Sequence, residues 1–228
     1  MSFLCLINPI VPNDEYHTTL KGNVVSDISR NAIPTTKVGA VTGTGIQGEA
    51  DGSFYFNGSS YINVNSISND KMKTTFTANF WIKPDSLNTF SRPFNSENAG
   101  ASGTSPWVRC SITADDELYF GVGSNNVNIS VTGGVISGNW QMITLKCTGN
   151  GTTSTLEIFI DGASVGTVTG SHSNINVNKY ICTGSLRYNT TAYLNSFVGK
   201  MCEVRILYDN IVEGELRFLK ELEGRLAV

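Results

Sequence analysis

The acidic run Asp115-Asp116-Glu117 is the densest group in the chain that could do acid–base chemistry. Retaining glycoside hydrolysis needs two carboxyls about 5 Å apart. Contiguous residues of a strand point to opposite faces, and this run stands just before Leu118-Tyr119-Phe120, so it reads as a solvated turn. His172 lies in the turn-like stretch Gly170-Ser171-His172-Ser173-Asn174, and the other histidine is His17. No G-x-S-x-G elbow supports a serine triad. Gly121-Val122-Gly123 lacks the third glycine and the following helix of a dinucleotide site. Cys5, Cys110, Cys147, Cys182 and Cys202 are widely spaced, with no C-x-x-C and no Cys/His cluster, which argues against zinc. Their odd number suits buried free thiols rather than a disulfide framework.

Other residue types in the chain suit recognition rather than bond-breaking. Aromatic faces stack on sugar rings, while amides and charged groups bond the hydroxyls. Arg92 and Asn95 fall within an irregular stretch over residues 86–106 and Trp107 directly follows it, and Tyr188, Asn189 and Tyr193 fall within 186–195. Core packing is an equal reading of Trp107. The net charge is −3 and no Lys/Arg cluster occurs, so no nucleic-acid partner is expected. The apolar stretch from Phe3 to Ile7 is too short to span a bilayer, so no membrane partner is expected either. No Lys or Arg precedes it, and it does not read as a secretory signal.

The elements that must position these residues are strands. The chain has 228 residues, 40% of them hydrophobic and only 15% charged, with abundant Gly, Ser, Thr and Asn. That is enough apolar content for a large core and the composition of many strands joined by turns. Phe76, Ala78, Phe80 and Ile82 alternate with Thr77, Asn79 and Trp81. Ile143, Leu145 and Cys147 alternate with Met142, Thr144 and Lys146, and Leu156, Ile158 and Ile160 with Glu157 and Phe159. Near the end, Val198, Cys202, Val204 and Ile206 are expected to oppose Phe197, Met201, Glu203 and Arg205. Asn57-Gly58, Gly133-Gly134, Asn150-Gly151 and Asp161-Gly162 supply turns between the runs. Such spacing predicts an antiparallel sandwich. One short amphipathic helix is expected over 211–223, capped by Asn210 with Glu213 three residues on.

The order of motifs resembles the concanavalin A-like lectin/glucanase superfamily, and within it the laminin-G-like jelly rolls. Asp27-Ile28-Ser29 is similar to the family's early D-x-S. Gly45 to Ala50 with Phe54-Tyr55-Phe56-Asn57-Gly58 resembles its G-x-x-G-x-A and F-D/N-G elements, and Tyr61-Ile62-Asn63-Val64 the strand after them. Phe76 to Pro84 resembles F-T-x-x-x-W-hydrophobic-K-P. Trp140 to Leu145, Leu156 to Gly162 and Gly199 to Ile206 follow like the family's later strands. The resemblance covers about residues 20–222. It implies an all-β, two-sheet antiparallel jelly roll over 20–228, ending in the short helix. Residues 1–19 would be an N-terminal arm or added strand. Trp81 and Trp140 would fill the space between the sheets. The E-x-D-x-E of the glucanases is missing, so no enzyme activity is expected. Some relatives hold a structural calcium. Asp27 and Glu203 offer oxygens, but Cys202 stands where the family has Asp and removes a donor. No cofactor is expected, with calcium the weaker alternative.

The fold leaves function to the site. A stand-alone module with unpaired thiols and no visible export signal suits a virion protein, made in the host cytoplasm. It would decorate a bacteriophage capsid or belong to a tail. Phe3, Leu4, Leu6 and Ile7 would dock it on other virion proteins, as a homo-oligomer that contacts cell-surface glycans. A free-standing carbohydrate-binding lectin is the alternative.

Overall fold

Where apolar residues recur at every second position, the chain pairs into antiparallel strands. The computed structural model describes residues 14–21, 24–27, 33–65, 74–87, 90–96, 108–113, 115–123, 127–172, 180–187, 193–194 and 196–208. The first strands are β1 (Asp14–Lys21), β2 (Val24–Asp27), β3 (Thr35–Val38), β4 (Val41–Gly43), β5 (Ser53–Asn57) and β6 (Tyr61–Asn65). The middle of the chain gives β7 (Thr75–Pro84), β8 (Ser91–Ser96), β9 (Val108–Ile112), β10 (Leu118–Val122), β11 (Val127–Val131) and β12 (Gln141–Gly149). The last are β13 (Thr153–Ile160), β14 (Ala163–Ser171), β15 (Tyr180–Thr183), β16 (Leu186–Arg187), β17 (Tyr193–Leu194) and β18 (Val198–Leu207).

A nine-stranded sheet runs β14-β13-β12-β7-β18-β1-β2, with β5 also on β18 and β4 on β5. A seven-stranded sheet runs β11-β10-β9-β8-β15-β6-β3, and β16 pairs with β17 as a separate hairpin. The two large sheets face each other across one apolar core. Phe80 of β7 stacks on Phe94 of β8 at 5.7 Å, and Phe76 of β7 meets Phe120 of β10 edge-on at 6.3 Å. This is the expected two-sheet jelly roll. Truncating such a buried Phe to Ala typically costs about 3–5 kcal/mol.

The Asn-Gly turns use one device twice. Asn57 Oδ1 accepts hydrogen bonds from Ser59 N and Oγ, and Asn150 Oδ1 accepts from Thr152 N and Oγ1. The hydroxyl two residues on completes an Asx turn, so the recurrent N-G-S/T pattern has a folding role.

Three sequence expectations change. The stretch over 86–106, expected to be irregular, contains strand β8, whose six residues are all buried. Trp81 and Trp140 do not lie between the sheets. Trp81 packs with Met142, Phe159, Cys202 and Leu207 on the opposite face of the nine-stranded sheet, with Ile46 and Trp140 against them. Trp140 Nε1 donates to Gly45 O at 3.1 Å. The tryptophans thus clamp the 44–52 turn onto the sheet's outer face. The alternation of β18 also breaks. Its first half pairs with β5 and its second half with β1, while β7 lies along the other side. At the change of partner the register shifts between Cys202 and Arg205, and Glu203 takes φ 50°. The extra residue puts Met201, Val204 and Ile206 together in the main core and sends Cys202 to the outer cluster.

Residues 14–19, within the segment expected to be an arm or added strand, belong to β1. The helix expected over 211–223 lies outside the described residues, as do Phe3, Leu4, Leu6 and Ile7.

Candidate functional site

Residues directly opposite in a ladder share a face. One such line crosses the seven-stranded sheet from β6 to β11: Asn63, Cys182, Asn95, Arg109, Gly121 and Asn128. Their strand neighbours Ile62, Val64, Ile181, Phe94, Val108, Cys110, Phe120 and Val122 fill the core, so this line is on the outer face. A second outer line joins Ser111, Tyr119 and Ser130. The Arg109 guanidinium lies 4.3 Å from the centroid of the Tyr119 ring, and both residues are half-buried. Gly121 makes this possible, because a Cβ there would meet the Tyr119 phenol at 2.6 Å. In the Gly121-Val122-Gly123 stretch, the first glycine therefore has a packing role.

Asn95 stands beside this pair, opposite Arg109 in the ladder. It is fully buried, and its Nδ2 donates to Ser185 O at 2.5 Å and to Cys182 O at 3.3 Å. Its Oδ1 and the Ser111 Oγ have no hydrogen-bond partner among the described residues. Buried polar atoms of this kind are usually satisfied by water or a ligand. Ser185 is the foot of the β16–β17 hairpin. The stem is closed by the Ser185–Ser196 hydroxyl pair at 3.1 Å and by Phe197 N donating to Gly184 O at 2.8 Å. Gly184 has φ 83°, and a Cβ there would strike the Phe56 ring at 2.1 Å, so glycine is required.

The structure links one residue of the first candidate group to the hairpin that carries one residue of the second. Asn95 is tied to the base of the hairpin that carries Tyr193, which pairs with Arg187 in β16–β17. Trp107, Tyr188 and Asn189 lie outside the described residues; Trp107 directly precedes Val108, the partner of Ser96. Arg92 lies in the irregular start of β8, 8% exposed and 5.4 Å from the Phe90 ring centroid. Sequence reasoning passed over Arg109 and Tyr119. Their signal was alternation: each is the polar or amphipathic residue between core positions of adjacent strands.

Ser154 Oγ and His172 Nε2 are 2.7 Å apart, but both residues are buried, so an incoming substrate could not reach them. Burial pushes the neighbouring Cys147 thiol up to about 11 against a small opposing effect of Ser154, and burial alone raises Cys110 further. Asp85 accepts from Tyr55 Oη at 3.0 Å, and that bond, with burial and the carboxylate charge, raises the phenol. Asp85 and Asp116 line an open cleft of about 600 Å³ with Val135 and Ile136. Asp115 and Asp116 are exposed in the turn before β10. Glu203, an oxygen donor considered for calcium, has its carboxylate 3.5 Å from Nη2 of the buried Arg205. Among the described residues, no three His, Cys, Asp or Glu side chains converge as metal ligands. No helix among them is long and apolar enough to cross a membrane.

A laminin-G family model of the concanavalin A-like lectin/glucanases superfamily matches residues 39–216. No curated protein matches the chain in sequence. The fold is similar to the botulinum neurotoxin type G receptor binding domain, with TM-score 0.68, 14% identity, and coverage of 92% of this chain and 51% of that one. It is similar also to the botulinum neurotoxin serotype D binding domain, with TM-score 0.70, 14% identity, and coverage of 92% and 52%. The receptor binding domain of the C/D mosaic serotype gives 0.71, 14%, and coverage of 93% and 52%. The chain spans about half the length of these solved structures.

Proposed function

We propose that this chain, which belongs to the concanavalin A-like lectin/glucanases superfamily, is a non-enzymatic recognition module whose lectin-like jelly roll binds cell-surface glycans. The observation that carries the reading is the outer face of the seven-stranded sheet. There the half-buried guanidinium of Arg109 and ring of Tyr119 stack on adjacent strands, with the buried Asn95 opposite Arg109 fixing the neighbouring β16–β17 hairpin. Glycan sites combine such groups: a ring stacks on the apolar side of a sugar, and a guanidinium bonds its hydroxyls. The structural likeness to botulinum neurotoxin receptor binding domains supports the same direction. A glycan array tests it. Arg109→Ala and Tyr119→Ala are expected to weaken binding by roughly tenfold or more, the scale of one lost charged hydrogen bond. A folded wild-type protein that binds no glycan overturns the reading.

The module is further proposed to be a homo-oligomeric surface protein of a bacteriophage virion, on the capsid or the tail, made in the host cytoplasm. Two buried free thiols, Cys110 and Cys147, support folding in a reducing compartment. The alternative is a free-standing lectin with the same site. Mass spectrometry of purified particles separates them. If residues 1–12, with Phe3, Leu4, Leu6 and Ile7, are the docking arm on other virion proteins, deleting them releases the folded domain from particles. Attachment of that truncation at normal levels overturns the arm.

A further inference from the structure

Strand β14 ends the nine-stranded sheet, and among the described residues it pairs only with β13. Its nine residues, Ala163 to Ser171, carry no charge and no proline. The adjacent edge of the other sheet, β11 (Val127–Val131), is uncharged as well. At the opposite end the edge strands carry Asp27 on β2 and Lys37 on β3. Edges left open to solvent are normally guarded by charge, proline or a bulge, because their free N–H and C=O groups accept another strand. The β14 edge has one guard, an irregularity opposite Ile158/Phe159 that leaves Val165 as the extra residue. Beyond it lies Gly166-Thr167-Val168-Thr169-Gly170, which reads the same in both directions.

A palindrome is what an antiparallel strand meets when it pairs with its own copy across a twofold axis. With the axis at Val168, Thr167 faces Thr169 of the mate twice, Gly faces Gly and Val faces Val. The faces suit this. Gly166 and Gly170 point to β11, since Cβ atoms there would meet Ile129 at 2.7 Å and Val127 at 3.1 Å, and Val168 packs against the core. Thr167 and Thr169 are exposed on the other side, and Thr169 already bonds Thr155 of β13 at 2.8 Å. Opposed threonines are favourable cross-strand pairs, and no like charges meet. We infer that two copies of this chain associate through β14, edge to edge and antiparallel about Val168, joining their nine-stranded sheets into one. The contact is isologous and consumes the edge, so it closes at a dimer.

This inference rests on the homo-oligomer part of the proposed function and is independent of glycan binding. The full chain is examined by light scattering and by cysteine cross-linking. Thr167→Lys combined with Thr169→Lys sets lysine opposite lysine at both exposed pairs. It is expected to weaken association by roughly tenfold or more while the monomer keeps its β-sheet circular dichroism and cooperative unfolding. In the cross-linking arm, Thr167→Cys and Thr169→Cys chains are oxidised separately and mixed. Opposed Cα atoms of an antiparallel pair lie about 4.5–5.5 Å apart, within disulfide reach, whereas Thr167 and its own copy would be separated by more than about 7 Å. The mixture is therefore expected to cross-link and each variant alone not to. A monomeric wild type overturns both the oligomer reading and this interface. A dimer indifferent to the lysines, with no cross-link specific to the mixture, leaves the oligomer standing and overturns the interface.

Discussion

Arg109 holds its guanidinium over the Tyr119 ring, 4.3 Å from the centroid, across neighbouring strands of the seven-stranded sheet. The contact fixes a long, flexible cation on a surface where it would otherwise sample many rotamers, and so presents its donors in one plane. A lysine would keep the charge but lose the flat stack and the fork of donors. Arg109→Lys is expected to leave thermal stability within about 1 kcal/mol of wild type while lowering glycan affinity several-fold by titration calorimetry. Unchanged affinity would mean that charge alone matters at this position.

Asn95 joins β8 to the foot of the β16–β17 hairpin through Ser185 O and also bonds Cys182 O. Asn95→Ala leaves these carbonyls without their donor in a buried setting, a loss of about 1–3 kcal/mol. The hairpin should loosen before the sandwich unfolds. Limited proteolysis is expected to cut the variant between residues 186 and 194 faster than wild type, with a lower urea midpoint. Equal cutting rates would show that the hairpin is held by its own stem.

Trp140 ties the 44–52 turn to the outer cluster by one hydrogen bond to Gly45 O and by its ring. Trp140→Phe removes the bond and keeps most of the ring, for an expected loss of about 0.5–1.5 kcal/mol. Trp140→Ala removes both and should cost about 3–5 kcal/mol, less what its partial exposure returns. Urea unfolding of both variants gives the comparison; equal losses would mean that packing contributes little.

The main core was legible because period-2 alternation is a local property. Phe76, Ala78, Phe80 and Ile82 face inward together as their spacing implies. The bulge at Glu203 was not legible, because it arises where β18 changes partner from β5 to β1, a fact of the distant chain. The placement of Trp81 was half legible. Alternation put it on the face opposite Phe80, but a large apolar ring suggested the sheet interface, and only Ile46 and Trp140 arriving from elsewhere give the outer face a core of its own. The candidate site follows the same logic. Asn95 was singled out for its side-chain chemistry, whereas Arg109 and Tyr119 become a unit only when β9 and β10 pair and Gly121 leaves room.

Gly199 crosses β18 with φ 143°, and a Cβ there would lie 2.4 Å from Lys83 O and 2.8 Å from Pro84 Cα. Both neighbours are backbone, so neither can swing away. Gly199→Ala must separate β18 from β7 or strain its own dihedral, at a cost on the order of 1–3 kcal/mol for the dihedral alone. A melting temperature depressed by several degrees is the expected outcome. Wild-type stability would mean that the central pair of strands yields more easily than close packing allows.

Burial holds the Cys147 thiol at about 11 in the folded protein, against an ordinary value of 9.0, and raises Cys110 in the same direction. Both groups are neutral in either state below the ordinary value, so the stability they contribute is fully present across neutral pH. Above pH 9 the unfolded chain ionises its thiols first, and that stability is progressively lost as pH rises through the folded value. Tyr55, raised by its bond to Asp85, acts the same way at higher pH. The urea midpoint is therefore expected to be flat near neutrality and to fall between pH 9 and 11. Cys147→Ala combined with Cys110→Ala should lower the midpoint at neutral pH by leaving small cavities, yet flatten its decline in alkali. A decline as steep in that variant as in wild type would assign the alkaline loss to other groups.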